Sequence, residues 1–179
     1  MKKYKIIYAD PAWSYSDKRK GTLGGAENHY KTMRTEDIKN LGVADIADEN
    51  SILFLWVTFP MLQEGLDVIK AWGFKYKTLG FSWIKLNKNS GTPFFGIGHY
   101  TKSNCEVCLI GIKGRPEIKD NTVSSVILET RSEHSKKPVS TREKIVQLLG
   151  DINRVELFAR DKVSGWDVWG NEVQSDIVL

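Results

Sequence analysis

Apolar and polar stretches alternate along the chain in a pattern that predicts strands separated by helices. Residues 5–9 (Lys-Ile-Ile-Tyr-Ala) form a short, largely apolar strand. Residues 51–58 (Ser-Ile-Leu-Phe-Leu-Trp-Val-Thr) are a nearly continuous apolar run. Such a run suits a strand buried on both faces of a helix-covered parallel sheet. Leu62, Leu66, Ile69 and Trp72 then recur at spacings of four, three and three, which makes one apolar helical face. Pro60 suits the first turn of that helix, and Gly73 ends it. A short helix is expected from Thr35, as its cap, through Leu41, with Glu36 and Asp37 favourable at its positive end. Further strands are predicted over 76–86, 106–113, 123–128, 155–158 and 166–169. A helix over 139–149 starts near Ser140-Thr141 and buries Ile145, Leu148 and Leu149.

Strands alternating with helices predict a three-layer α/β fold around a mainly parallel sheet. Ligands in such folds bind beyond the carboxyl ends of strands. The two long loops, 10–33 and 87–103, are therefore the expected site loops. The Gly96-Ile97-Gly98 pair lies in the second loop. It lacks the strand–turn–helix setting of a nucleotide loop, so it reads as part of a loop facing the acceptor.

At 179 residues the chain fits one domain, 1–179, with one core. Hydrophobic residues make up 41% and charged residues 27%, an ordinary globular balance. No apolar run approaches the roughly 20 residues of a membrane span. The N-terminus, Met-Lys-Lys-Tyr-Lys-Ile-Ile-Tyr, is a strand start and not a signal peptide, so the expected location is the cytoplasm. A formal charge of +4 and a pI near 9.0 suit a polyanionic partner without demanding one. Cys105 and Cys108 are spaced C-x-x-C, but no second cysteine pair exists to complete a tetrahedral zinc site. They read as two reduced cysteines in or beside a strand, and no metal is expected.

Chemistry enters at Asp10-Pro11-Ala12-Trp13, directly after the first strand. The Asp10 carboxylate and the Pro11 carbonyl are two acceptors able to hold both hydrogens of a primary amine. Held so, the amine aims its lone pair at a methyl donor. Trp13 offers a face on which a flipped base can stack. The competing reading is a β-turn with a buried tryptophan.

Asp-Pro-Ala-Trp resembles the Asp-Pro-Pro-Trp signature of N6-adenine amino-methyltransferases. Further blocks resemble the same family in the expected order. They include Asn28-His29-Tyr30-Lys31, Leu53-Phe54-Leu55-Trp56, Ala71-Trp72-Gly73-Phe74, Trp83-Ile84-Lys85, His134-Ser135-Lys136-Lys137-Pro138, Glu156-Leu157-Phe158-Ala159-Arg160 and Gly165-Trp166 through Asn171-Glu172. The family contains the catalytic subunit of the eukaryotic messenger-RNA adenosine methyltransferase. The likeness covers nearly the whole chain and is greatest to the bacterial and phage branch.

The resemblance implies a Rossmann-like methyltransferase with permuted strand order, the catalytic motif preceding the cofactor segment. It implies S-adenosylmethionine as methyl donor, with Asp10 meeting its methionine amine and Ser135 and Lys137 reaching its carboxylate. Phe158 and Arg160 close the strand that carries the donor, and Asn171 and Glu172 hold its ribose. Ala12, Tyr30 and Glu106 match residues lining the acceptor-adenine pocket. The residues alone also admit Lys137 as a solvated lysine, Arg160–Glu172 as an exposed ion pair, and Tyr30 and Glu106 as loop and edge residues. Two departures stand out. Ala12 replaces the signature's second proline, while Pro11 keeps the carbonyl. Only nine residues precede Asp10, where longer relatives have a segment contacting the donor's adenine, so that wall of the pocket is expected from elsewhere.

The resulting expectation is methylation of adenine N6 in DNA, on a base flipped from the duplex. Lys18, Arg19, Lys20, Lys85, Lys88 and Lys102 would hold phosphates around that base. No membrane partner is expected, and a homodimer is compatible with this reading. The alternatives are the same reaction on RNA, a nucleic-acid-binding subunit without catalysis, and a generic α/β module whose motif is accidental.

Overall fold

The computed structural model describes residues 2–14, 32–98, 100–131 and 136–179. Its elements follow in the order β1 (Tyr4–Ala9), α1 (Thr35–Lys39), α2 (Val43–Ile46), β2 (Ala47–Val57), α3 (Leu62–Ala71), β3 (Lys75–Leu86), β4 (Glu106–Lys113), β5 (Val126–Thr130), α4 (Ser140–Leu149), β6 (Arg154–Leu157) and β7 (Asp167–Trp169). The strands form one sheet in the order β5-β3-β4-β2-β1-β6-β7. β1 runs parallel to β2 and β6, β6 parallel to β7, and β3 parallel to β5. β4 alone among these strands is antiparallel, pairing β2 on one side and β3 on the other. This is the α/β, Rossmann-like arrangement with permuted order. The chain starts in the middle of the sheet, builds one side through β5, and returns to β1 with β6 and β7.

The reversal at β4 has a local cause. A parallel return needs a crossover that is usually helical, and the described residues of 87–105 contain no helix. The loop turns the chain straight back, so β4 pairs antiparallel to β3.

Side chains alternate across the sheet as the strand repeat requires. Ile7, Ala9, Leu53, Leu55, Val57, Val155 and Leu157 face the layer of α1, α2 and α3 and pack with Ile38, Ile46, Val68, Ile69 and Trp72. Ile6, Tyr8, Ile52, Phe54, Trp56, Phe81 and Cys108 face α4 and pack with Ile145 and Leu149. The helix predicted after Pro60 begins as a 3-10 turn over Phe59–Met61, and Gly73 follows its last turn at φ +81°. Trp72 closes this layer by donating its indole N–H to the Ile38 carbonyl at 2.9 Å.

Two expectations need correction. Thr35 does not cap α1. It is the first helical residue, and Arg34 holds the cap position with no side-chain bond to the helix backbone. Arg34 instead pairs with Asp37 through two bonds of 2.9 and 3.0 Å, so an exposed ion pair takes the place of a hydroxyl cap. The strand expected at 123–128 is shifted to Val126–Thr130, where Ser82 through Leu86 supply its hydrogen-bonding partner. Both cysteines are free: Cys108 is buried in β4 and Cys105 just precedes it. Among the described residues no helix is long and apolar enough to cross a membrane.

α3 lies close to β2 because Gly65 has no side chain. A Cβ added there would run into the Val57 side chain. Gly65→Ala gains helix propensity of about 1 kcal/mol but overpacks this contact by roughly 1–3 kcal/mol. The expected result is a lower urea midpoint with an unchanged m value, a net loss of about 1 kcal/mol.

Candidate active site

All strands except β4 point the same way, so the carboxyl ends of β1, β2, β3, β6 and β7 share one edge with the amino end of β4. Asp10 follows β1 on this edge, and Glu106 opens β4 on the same edge. The antiparallel strand therefore brings Glu106 to the end of the sheet where Asp10 lies.

Lys137, just before α4, joins the two carboxylates. Its ammonium is 2.8 Å from Asp10 Oδ1 and Oδ2 and 3.2 Å from Glu106 Oε2. Glu106 Oε1 in turn accepts from Lys85 Nζ at 2.5 Å. The result is a chain of four alternating charges, Asp10–Lys137–Glu106–Lys85, contributed by four segments. The Lys137 side chain is only 12% exposed, which rules out its reading as a solvated lysine. Its ammonium also lies 5.7 Å from the centre of the Trp56 ring.

Burial and charge compete in this cluster. Burial pushes the Asp10 carboxyl up from its ordinary 3.8, while the Lys137 charge and hydrogen bonds pull it down. Burial also acts to raise Glu106, but Lys137 and Lys85 outweigh it and hold that carboxyl below its ordinary 4.5. Burial works against the Lys137 charge, and the two carboxylates more than offset it, so the amine titrates above its ordinary 10.5.

The rest of the motif is fixed from below. Pro11 is buried, and its carbonyl accepts the Trp13 backbone N–H at 2.9 Å. A carbonyl has two lone pairs, so one is left for another donor. Ala12 is half-buried and its carbonyl accepts from Met33 N–H at 2.9 Å. The Trp13 ring is only 5% exposed and belongs to the core on the α1–α3 side. Its indole donates to the Trp56 carbonyl at 3.1 Å, and the Trp56 indole donates to Tyr8 Oη at 2.8 Å. The tryptophan is thus both part of the motif and buried, with most of its ring area spent on packing.

A second group lies on the neighbouring strand ends. β6 pairs with β1 up to Ala9–Leu157, so Phe158, the residue just past β6, follows on the same edge as Asp10. Phe158 has φ +62° and packs edge-on to Trp169, with ring centres 5.3 Å apart. Asn171 and Glu172 follow β7 and are exposed. Arg160 Nε is 3.5 Å from Glu172 Oε1, an ion pair with side chains 32% and 58% exposed. The Arg160 charge also reaches Asp10, where it favours the carboxylate. Tyr30, Ser135, Lys18, Arg19 and Lys20 lie outside the described residues. Among the described residues no group of three His, Cys, Asp or Glu side chains is arranged to hold a metal.

Three features were not found from sequence. Lys85 is in β3 rather than a loop, and its ammonium is engaged with Glu106 instead of being free for a phosphate. Trp56 supports both Trp13 and Lys137 from one residue, which a long apolar run does not reveal. Arg142 on α4 grips the buried Glu156 of β6 through bonds of 2.6 and 2.7 Å. Only the i to i+3 or i+4 neighbours on one helix are visible in a sequence, so a helix-to-strand pair fourteen residues apart carries no local signal.

The family model described as MT-A70 matches residues 4–172. The type II methyltransferase M.MunI of a Mycoplasma species is 33% identical over 191 aligned positions, covering 96% of this chain and 78% of that protein. An N(6)-adenosine-methyltransferase MT-A70-like protein of Arabidopsis thaliana is 29% identical over 173 positions, covering 95% of this chain and 24% of its own length. The human N(6)-adenosine-methyltransferase catalytic subunit METTL3 is 27% identical over 176 positions, covering 96% of this chain and 28% of its own.

Lys137→Met leaves two partly buried carboxylates without their shared cation. The cost expected at pH 7 is roughly 2 kcal/mol, below the range for a fully buried pair because Asp10 keeps contact with water. Glu106, held low in the fold, contributes stability that is full above its ordinary 4.5 and lost as pH falls. The gap between wild type and variant should therefore narrow as pH falls below 4.5, read by urea unfolding across the acid range.

Proposed function

The chain belongs to the MT-A70 family, and from that membership we propose that it transfers a methyl group from S-adenosylmethionine to the N6 amine of adenine in DNA. The observation that carries this reading is the placement of Asp10. Its carboxylate stands at a central strand end, beside the Pro11 carbonyl and against the Lys137 ammonium. The Asp10–Lys137 pair is a charge match for the ammonium and carboxylate of an amino-acid head group, with each side chain able to exchange its partner for one end of that zwitterion. Asn171 and Glu172, exposed beyond β7, offer an amide and a carboxylate for ribose hydroxyls.

S-adenosylmethionine, when bound, supplies a methyl group on a sulfonium that leaves readily. The chain's own residues do the rest. Asp10 and Pro11 accept hydrogen bonds from the adenine amine and orient its lone pair. Those bonds strengthen as the nitrogen gains positive charge, which favours the transition state over the ground state. Asp10 can take the surplus proton after transfer. Trp13, bonded to Trp56, holds the motif's backbone in place, so its contribution is mainly positioning.

DNA is preferred because the likeness to a type II methyltransferase extends over 78% of that protein, whereas the N(6)-adenosine-methyltransferases match over about a quarter of theirs. RNA is the second reading, favoured by the names of those relatives.

Asp10→Ala should lower methyl transfer by at least about a hundredfold in a variant that still folds, with a lower melting temperature because Lys137 loses one of its two carboxylates. Tritiated S-adenosylmethionine with DNA and RNA in separate tubes measures it, and wild-type turnover in a folded variant would remove Asp10 from the chemistry. Replacing Asn171 and Glu172 together with Ala should weaken donor binding by roughly 2–4 kcal/mol in titration calorimetry. Sequencing DNA and RNA from cells making the protein, scored for N6-methyladenine, decides the substrate. Marks confined to RNA would overturn the DNA assignment and keep the reaction.

A further inference from the structure

Between β3 and β4 the chain forms a hairpin-like loop that points away from the sheet at the site edge. Its root is tied down. Asn104 accepts the Lys85 backbone N–H and donates to the Lys85 carbonyl, both at 2.9 Å, and donates also to the Phe94 carbonyl. Phe94 N–H bonds the Lys85 carbonyl at 2.8 Å, and Gly96 N–H bonds the Ser103 carbonyl at 2.7 Å. Lys85 itself is the last member of the charge chain that ends at Asp10. Three ion pairs therefore link the root to Asp10.

The tip is built differently. Gly98 admits no Cβ, which would collide with the Thr101 carbonyl, so the chain doubles back tightly there. Ile97 and Tyr100 flank that turn at 90% and 101% exposure. Folding leaves both side chains in water although each has apolar surface to bury. The same loop carries cations and no acid. Lys88 and Lys102 lie in residues 87–105, a stretch without any Asp or Glu. Lys102 lies 6.0 Å from the centre of the Phe95 ring, and the Arg131 guanidinium stacks 3.6 Å from the centre of Phe94.

We propose that Ile97 and Tyr100 form a wedge that enters a nucleic-acid duplex and fills the space vacated by the flipped adenine. This rests on the proposed base-flipping reaction and adds the element that sustains it. Extruding a base costs stacking and pairing, and apolar side chains inserted at a base step offset that loss. A tyrosine ring stacks on any base, and an isoleucine fills the remaining width. The acid-free cationic flank suits the phosphates on either side. A tied root, linked to Asp10 through three ion pairs, and an exposed apolar tip are the features a wedge requires.

The test uses the full chain and a duplex carrying the target sequence found by sequencing. One substrate is fully paired; in the other the target adenine faces an abasic site, so extrusion is already easy. The Ile97→Ala, Tyr100→Ala double variant should lose at least tenfold in kcat/KM on the paired duplex and recover to within about threefold of wild type on the abasic one. With 2-aminopurine at the target, wild-type binding should raise fluorescence and variant binding should not. Both positions are exposed, so melting should be unchanged. Equal losses on the two substrates, no loss on either, or a loss that tracks a changed sedimenting mass would overturn the wedge. The last result would make the tip a protein contact. Wild type inactive on both duplexes would overturn the parent reading and the wedge with it, a pattern distinct from the others because it appears without any mutation.

Discussion

Lys137 sets one ammonium between two carboxylates at a place where water reaches poorly, and the site edge is organised around that contact. An ion so placed is stable only with partners in good geometry, and each partner has the same need. Asp10 meets it at 2.8 Å and Glu106 at 3.2 Å, with Lys85 compensating Glu106 from the far side. The four charges come from the segment after β1, the segment before α4, the start of β4 and the end of β3. Their mutual requirement ties these segments together at the point where chemistry is proposed. Trp56 reinforces the arrangement from the core, since its ring lies under the Lys137 ammonium while its carbonyl holds the Trp13 indole.

The cluster depends on one strand running the wrong way. In an all-parallel sheet the amino ends of strands lie at the edge opposite the ligands. β4 reverses, so Glu106 at its amino end lies level with Trp83 of β3, two residues from Lys85. A loop without a helix is the cause of the reversal, and the same loop carries the exposed Ile97 and Tyr100. Strand direction and the site's charge balance thus share one origin.

Much of this was legible in the residues. The apolar run predicted over 51–58 covers the buried part of β2, Ser51 to Val57, because a central strand covered on both faces has no polar face to reveal. The helix after Pro60 and the strand over 106–113 were visible for the same reason: their burial is regular and local. Asp10 at a strand end followed from order alone. The partners of Asp10 did not. Lys137 and Glu106 are distant in sequence, and Lys137 entered only through a family likeness that gave it a different contact. Thr35 has the chemistry of a cap, yet the Arg34–Asp37 pair occupies that turn. Trp13 was read as a stacking face, while the structure commits its ring to the core and its N–H to Trp56. An indole's polar edge and apolar body suit both uses, and sequence does not say which neighbours it will have.

The position of β1 in the middle of the sheet also bears on how the molecule assembles. β1 precedes the other strands of the sheet in the chain, and one of its two neighbours, β6, pairs with it across about 148 residues, from Ala9 to Leu157. Until β6 arrives, the central strand has an open edge of unpaired backbone groups, the kind of edge that recruits strands from other chains. Closing so long a loop is slow on topological grounds, even though its entropy cost grows only with the logarithm of length. The β1–β2 pairing closes a much shorter stretch of chain than the β1–β6 pairing. The strand-end residues after β6 therefore reach their places beside Asp10 only when the longest-range pairing of the sheet closes.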